Sequence, residues 1–179
     1  MFYGEIKKFD IADGLGVRVS LFVSGCRNKC KNCFNEVTWD FSYGKEFTLS
    51  TVNEIIEALS SDFVAGLTIL GGEPFEIENQ QAVLDLIKIV REKLPNKTIW
   101  IYSGFVYEEL IGTIKSRASS STALEILDNV DVLVDGKFVE ELKDLTLHYH
   151  GSSNQRVIDM NKTNKCKKIV LYDFGTDCM

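Results

Sequence analysis

The sequence predicts an α/β fold built on a mainly parallel sheet. Three observations carry this expectation. From about residue 18 to residue 136, short β-branched and aromatic runs alternate with stretches whose apolar residues recur at helical spacing. Glycine, proline and aspartate punctuate the joins. The 179 residues, 45% hydrophobic and 26% charged, suffice to bury a core without staples. With two prolines, no internal repeat and no linker-like run, the chain reads as one domain over 1–179.

In chain order, Asp13-Gly14-Leu15-Gly16 reads as a turn and residues 18–24 (RVSLFVS) as the first strong strand, followed at once by a cysteine-rich loop. A helix starts near Thr51, where Thr51 and Glu54 have capping-box spacing and Val52, Ile55, Ile56 and Leu59 share a face. Residues 67–70 form a buried strand that ends in Gly71-Gly72-Glu73-Pro74. From 79 to 94, Val83, Leu84, Ile87, Val90 and Leu94 keep helical spacing until Pro95 closes the helix. Residues 98–102 make the next strand. Val106, Tyr107, Leu110, Ile111 and Ile114 mark a helix, 122–128 a short one, and 130–134 a strand stopped by Asp135-Gly136. Beyond His148 the rhythm fades, and 168–172 (KIVLY) reads as a further strand that closes a sheet edge or reaches a partner. Ligand sites of such sheets gather at the C-terminal strand ends, where both the cysteine loop and the Gly-Gly turn fall.

Charge narrows the function. Lys+Arg number 20 and Asp+Glu 26, a net charge of −6, so no global positive field gathers a phosphate backbone and nucleic acid is not expected as a partner. The start MFYGEIKKFD lacks an apolar leader, and no run is long enough to span a bilayer. The expectation is a cytoplasmic protein with no membrane contact.

Five cysteines divide unevenly: Cys26, Cys30 and Cys33 crowd into one loop, while Cys166 and Cys178 lie near the far end. An odd, clustered set argues against a disulfide framework and for metal or cluster ligands. The spacing Cys-x3-Cys-x2-Cys lets a short loop wrap three corners of a cubane iron-sulfur cluster, leaving one of its four irons open. The alternatives are a Cys3His zinc site using His148 or His150, or three core thiols. Arg27, Lys29 and Lys31 interleave with the cysteines. Their field would keep the thiols ionised and offer a dock for an acidic electron donor, unless they form an ordinary solvated loop. Gly71 and Gly72 let backbone approach a ligand closely at a strand end, although such a turn also serves as a plain βα connection.

FVSGCRNKCKNCFN, with Phe34 after the last cysteine and GGEP downstream, resembles the signature of radical S-adenosylmethionine enzymes. The resemblance implies a partial (β/α) barrel in which Cys26, Cys30 and Cys33 hold a [4Fe-4S] cluster and are the catalytic set. The open iron then chelates S-adenosyl-L-methionine, contacted also by Gly72 and by the backbone of Asn32, Cys33 and Phe34. Reductive cleavage yields methionine and a 5′-deoxyadenosyl radical. DIADGLGVRVSLFVSGC, NEVTWD, GGEP, IWIYSG, VDVLVDGKF and GSSNQRV, in that order, resemble the glycyl-radical activases of anaerobic ribonucleoside-triphosphate reductase over about residues 5–158, leaving 159–179 as an extension. The resemblance implies that reductase as protein substrate and a donor such as flavodoxin or ferredoxin. Activases of other glycyl radical enzymes, such as pyruvate formate-lyase, and a non-catalytic electron-transfer module are the alternatives. Two departures stand out: GGEP replaces GGDP, and Leu15 stands where proline is common.

Several residues remain. Residues 116–122 (SRASSST) read as an inserted, exposed polar loop, and Trp39 and Trp100 as core. Arg18 meets either a ligand carboxylate or a surface ion pair. Arg156 grips ligand or reductase, or belongs to a structured turn, and Asp135 closes its strand. Cys166 and Cys178 are expected to be free.

Overall fold

The structure, a computed structural model, describes residues 1–175. Its strands are β1 (Phe2–Asp10), β2 (Val17–Val23), β3 (Lys45–Glu46), β4 (Val64–Gly71), β5 (Thr98–Tyr102), β6 (Val132–Asp135) and β7 (Arg156–Asp159). They form one seven-stranded sheet in the order β3-β1-β2-β4-β5-β6-β7. The inner run β2-β4-β5-β6 is parallel, and the remaining pairings are antiparallel. Helices α1 (Leu49–Leu59), α2 (Ile77–Lys93), α3 (Tyr107–Leu110) and α4 (Ser121–Asn129) lie between the parallel strands, and α5 (Met160–Cys166) follows β7. This is a mixed α/β fold with an open sheet. Among the described residues, no helix is long and apolar enough to cross a membrane.

The parallel strands succeed one another without reversal of order, so the crossover helices share one side of the sheet. Side-chain alternation then divides the strands cleanly. Val19, Leu21 and Val23 of β2, Leu67 and Ile69 of β4, Ile99 and Ile101 of β5 and Leu133 of β6 face α1, α2 and α4 in the main core. Their neighbours Arg18, Ser20, Thr68, Trp100, Tyr102, Val132 and Val134 occupy the opposite face.

That second face is covered by loops. Arg18 is fully buried and forms no ion pair among the described residues. Its Nε donates to Thr68 Oγ1 (2.6 Å), Nη1 to Leu15 O (3.2 Å) and Thr98 Oγ1 (3.0 Å), and Nη2 to Leu67 O (2.7 Å) and Thr98 O (3.1 Å). Burial pulls this guanidinium down to about 10. The surface ion pair, one of the two readings of this residue, is replaced by burial among hydroxyl and carbonyl oxygens that occupy its donors. Arg18 thus locks the turn carrying Leu15 to the sheet, without the proline that is common there. Trp100, 2% exposed, is core as expected and packs against Tyr149 and Tyr172.

Several elements differ from the sequence reading. β1 escaped it because Glu5, Lys7 and Lys8 point to solvent and two irregularities break its alternation. Helix α1 starts earlier, with the capping box formed by Thr48 and Thr51. The helix expected across 106–114 ends at Leu110, and Ile114 is half-exposed. Residues 168–172 do not form a strand. They lie along β7 through a single Ile158–Leu171 bridge, with Asp159 N donating to Val170 O and Tyr172 N to Val157 O. They thus cover an edge with too few paired residues to extend the sheet. Residues 116–122 are not an exposed loop: Ala118 is buried and its carbonyl accepts from Gln80 Nε2 (2.8 Å).

Replacing Arg18 by methionine removes the donors to Thr68 Oγ1, Thr98 Oγ1, Leu15 O, Leu67 O and Thr98 O, while the two hydroxyls keep the bonds they donate to Asp13 O and Ala65 O. Arg18→Met should lower the unfolding free energy by about 2–4 kcal/mol in urea titrations.

Candidate functional site

A cavity of about 670 Å³ opens at the C-terminal ends of the parallel strands, a size suited to a small-molecule ligand. Cys26, Cys30 and Cys33 all line it, with Asn32 and Phe34 at its mouth. Across from them stand Gly71, Gly72 and Glu73, the end of β5 (Tyr102 to Gly104), and Gly136 with Phe138. Residues of the segment 143–151, including Leu145, Leu147 and His150, complete the wall.

The cysteine loop leaves β2 through Gly25, whose φ of +96° favours glycine and whose Cβ would strike the Phe41 ring. Gly25 N donates to Thr38 O (2.8 Å) and Cys26 N to Trp39 O (3.2 Å), tying the loop to a 3-10 turn at Glu36–Trp39. Trp39, read as core, is half-buried and faces the cavity. The Gly-Gly turn is fastened to the same place: Gly72 N donates to Val23 O (2.7 Å) and Glu73 N to Gly25 O (2.9 Å). A Cβ on Gly72 would lie 2.8 Å from Gly25 O, so close approach of two backbones fixes this glycine.

Glu73 is the group that sequence reading undervalued. It is fully buried, and its carboxylate accepts from Phe75 N (3.0 Å), Ser103 Oγ (2.9 Å), Gly104 N (2.7 Å) and Asn28 Nδ2 (2.9 Å). One side chain thereby joins the β4 turn, the end of β5 and the cysteine loop. Removal from water outweighs the four donors and pushes its pKa up to about 7. Asp13, also on the cavity wall, is raised to about 7 by burial and by the neighbouring Asp10.

Of the three basic residues among the cysteines, two are taken up by ion pairs and only Lys29, which is exposed, has none among the described residues. Arg27 pairs with the buried Glu76 and with Glu78, and Lys31 pairs with Glu141. Cys26 and Cys30 are accordingly not held ionised. Burial pushes Cys26 up to about 11, and burial with the adjacent Cys33 raises Cys30. Arg156 serves the scaffold: it pairs with Glu108 and the buried Asp135, which also accepts from Tyr107 N (2.7 Å). Cys166 is exposed at the end of α5, beneath the N-terminal ends of the parallel strands and far from the triad. Cys178 lies outside the described residues.

The donor set tells what the site can hold. Three thiols border one cavity, and thiolate is the donor type that an iron-sulfur cluster takes. His150 reaches the same wall, with Nδ1 2.8 Å from His148 O.

The sequence profile of the 4Fe-4S single cluster domain matches residues 12–158. The anaerobic ribonucleoside-triphosphate reductase-activating protein of Enterobacteria phage T4 is 37% identical over 157 residues, 88% of this chain and 93% of that protein. The chain belongs to this family. The protein of the same name from Escherichia coli K12 is 36% identical over 159 residues, covering 88% of this chain and 97% of its own. That of Vibrio cholerae is 37% identical over 157 residues, with shares of 87% and 96%.

Glu73 also gives the family site a pH dependence. Its folded value of about 7 exceeds the ordinary 4.5, so its favourable contribution is complete below pH 4.5 and is lost as pH rises to about 7. The loss is on the order of 3 kcal/mol. Urea titrations at about pH 5 and about pH 8 should show this decline in the unsubstituted chain and a smaller one in Glu73→Gln.

Proposed function

We propose that this chain activates anaerobic ribonucleoside-triphosphate reductase through a [4Fe-4S] cluster held by Cys26, Cys30 and Cys33. The observation that carries the reading is that these thiols and the Gly-Gly turn border one cavity at the C-terminal strand ends. The relatives' name supports this target over pyruvate formate-lyase. Crossover helices confined to one side of an open sheet support the radical S-adenosylmethionine type of partial (β/α) barrel.

When bound and reduced by one electron, the cluster supplies cleavage of a carbon-sulfur bond in S-adenosyl-L-methionine, giving methionine and a 5′-deoxyadenosyl radical that takes a Cα hydrogen from a glycine of the reductase. The chain's own groups hold the reactants. Cys26, Cys30 and Cys33 would hold the cluster as thiolates, giving up their protons to solvent, and would leave it room to bind S-adenosyl-L-methionine. The turn at Gly72 presents backbone to the ligand, Asn32 and Phe34 flank it beside Cys33, and Glu73 keeps that turn in register with the cysteine loop. Phe34 is 92% exposed and Leu145 is 89% exposed at the mouth. A seated reductase covers these side chains and keeps water from the radical. A flavodoxin or ferredoxin type of donor supplies the electron. It meets the cysteine loop at Lys29, which is exposed and makes no ion pair among the described residues.

Anaerobic reconstitution tests the reading. About four irons per chain are expected, with 5′-deoxyadenosine formed on adding dithionite and S-adenosyl-L-methionine. A glycyl paramagnetic-resonance doublet should appear when the reductase is present. Alanine at Cys26, Cys30 or Cys33 should abolish cluster and product alike, whereas Cys166→Ala should preserve both. Absence of 5′-deoxyadenosine rejects the activase reading, and product without a glycyl signal points to another target.

A further inference from the structure

The ligand loop has two unlike limbs. Residues 26–28 are tethered at every side chain that reaches outward. Arg27 N and Nη1 donate to the two oxygens of Glu76 (2.9 and 2.8 Å), and the guanidinium lies 4.3 Å from the centre of the Phe41 ring. Asn28 donates to Glu73 through Nδ2 and accepts from Arg117 Nη2 through Oδ1 (3.0 Å). From Lys29 to Asn35 the ties among the described residues are fewer for the side chains: the Lys31–Glu141 pair, a backbone N–H of Phe138 on the Cys30 thiol, a turn from Cys33 N to Cys30 O, and bonds from Thr38 to Asn35 O. Lys29 and Asn32 hold φ values of 47° and 56° in this limb.

Arg117 links the tethers. It comes from the stretch 116–122, whose neighbours Ala118 and Ser120 are bound to Gln80. Its Nη2 donates to Glu76 Oε1 (2.9 Å) as well as to Asn28, its Nε approaches Glu76 Oε2 (3.3 Å), and its guanidinium lies 4.5 Å from the centre of the Phe105 ring. Glu76 is 1% exposed and is shared between Arg27 and Arg117. A buried carboxylate that loses one of two cations is left poorly compensated, so the pair hold each other in place. Only a planar fork serves Glu76 and Asn28 together while stacking on an aromatic ring.

We propose that Arg117 is a positioning residue for the cluster site. It holds Glu76 and Asn28 so that the limb carrying Cys26 keeps its cluster-ready path before iron arrives, while the limb carrying Cys30 and Cys33 closes afterwards. The proposal rests on the reading of these cysteines as cluster ligands. Groups around metal ligands typically change metal uptake by about 10- to 100-fold when altered, which sets the size of the expected effect.

The test compares the unsubstituted chain with Arg117→Met, Arg117→Lys and Lys88→Met; the last removes an exposed ion pair with Glu125 as a charge control. In the metal-free, reduced chain, the Arg27 amide reports the Glu76 bond directly. Its hydrogen exchange should quicken about tenfold in Arg117→Met, with α1 and α2 unchanged. Cluster assembly from ferrous iron and sulfide, followed by visible absorbance, should slow by a similar factor. Lysine restores a charge for Glu76 without the bridge to Asn28, so Arg117→Lys should remain slow, and Lys88→Met should match the unsubstituted chain. The proposal is overturned by an unchanged Arg27 amide in Arg117→Met, by full recovery of assembly in Arg117→Lys, or by lost protection throughout α1 and α2. Failure of the unsubstituted chain to take up iron would instead defeat the cluster reading, and the exchange arm would still decide the role of Arg117.

Discussion

The C-terminal edge of the sheet is organised around a carboxylate with no access to water. Glu73 draws donors from its own turn, from Ser103 and Gly104 at the end of β5, and from Asn28 in the cysteine loop. Each of these segments is irregular and has few apolar contacts with which to set its position. A buried acceptor left without donors costs more than an ordinary hydrogen bond contributes, so the three segments are held to a common geometry. The backbone bonds from Gly72 to Val23 and from Glu73 to Gly25 complete the arrangement by joining adjacent parallel strands just past their ends.

The two faces of the sheet divide the remaining work. Aliphatic side chains and three amphipathic helices on one side supply the core and the rigidity. The other side carries Arg18, Thr68, Trp100 and Tyr102, which bind loops and the tail through directed polar contacts and aromatic packing. That asymmetry follows from winding in one direction. A reversal of strand order would have placed helices on both faces and left no surface for a cavity between the loops and the sheet.

What could be read from sequence was what local pattern encodes. The parallel strands, the helices α1, α2 and α4, and the placement of the cysteines and Gly72 beyond strand ends follow from periodicity and punctuation over a few residues. Family resemblance then added an expected chemistry and an expected target. Features that depend on distant partners were not legible. β1 carries a charged outward face, so only its pairing with β2 reveals it as a strand. Ser116 to Thr122 has the composition of a surface loop, yet Gln80 of α2 draws it inward. Burial of Glu73 is visible only once the end of β5 and Asn28 are beside it. The aperiodic segment 143–151 gave no sign that it lines the cavity.

The packing of Trp100 against Tyr149 and Tyr172 has a further consequence. Together with the turn at Gly14, which lies over Arg18 and Trp100, it covers part of the sheet face opposite the helices. Tyr149 belongs both to this aromatic group and to the cavity wall. A change in the bulk of residue 100, which itself lies outside the cavity lining, would therefore reach the cavity through Tyr149, because wall and buried aromatics repack as one unit.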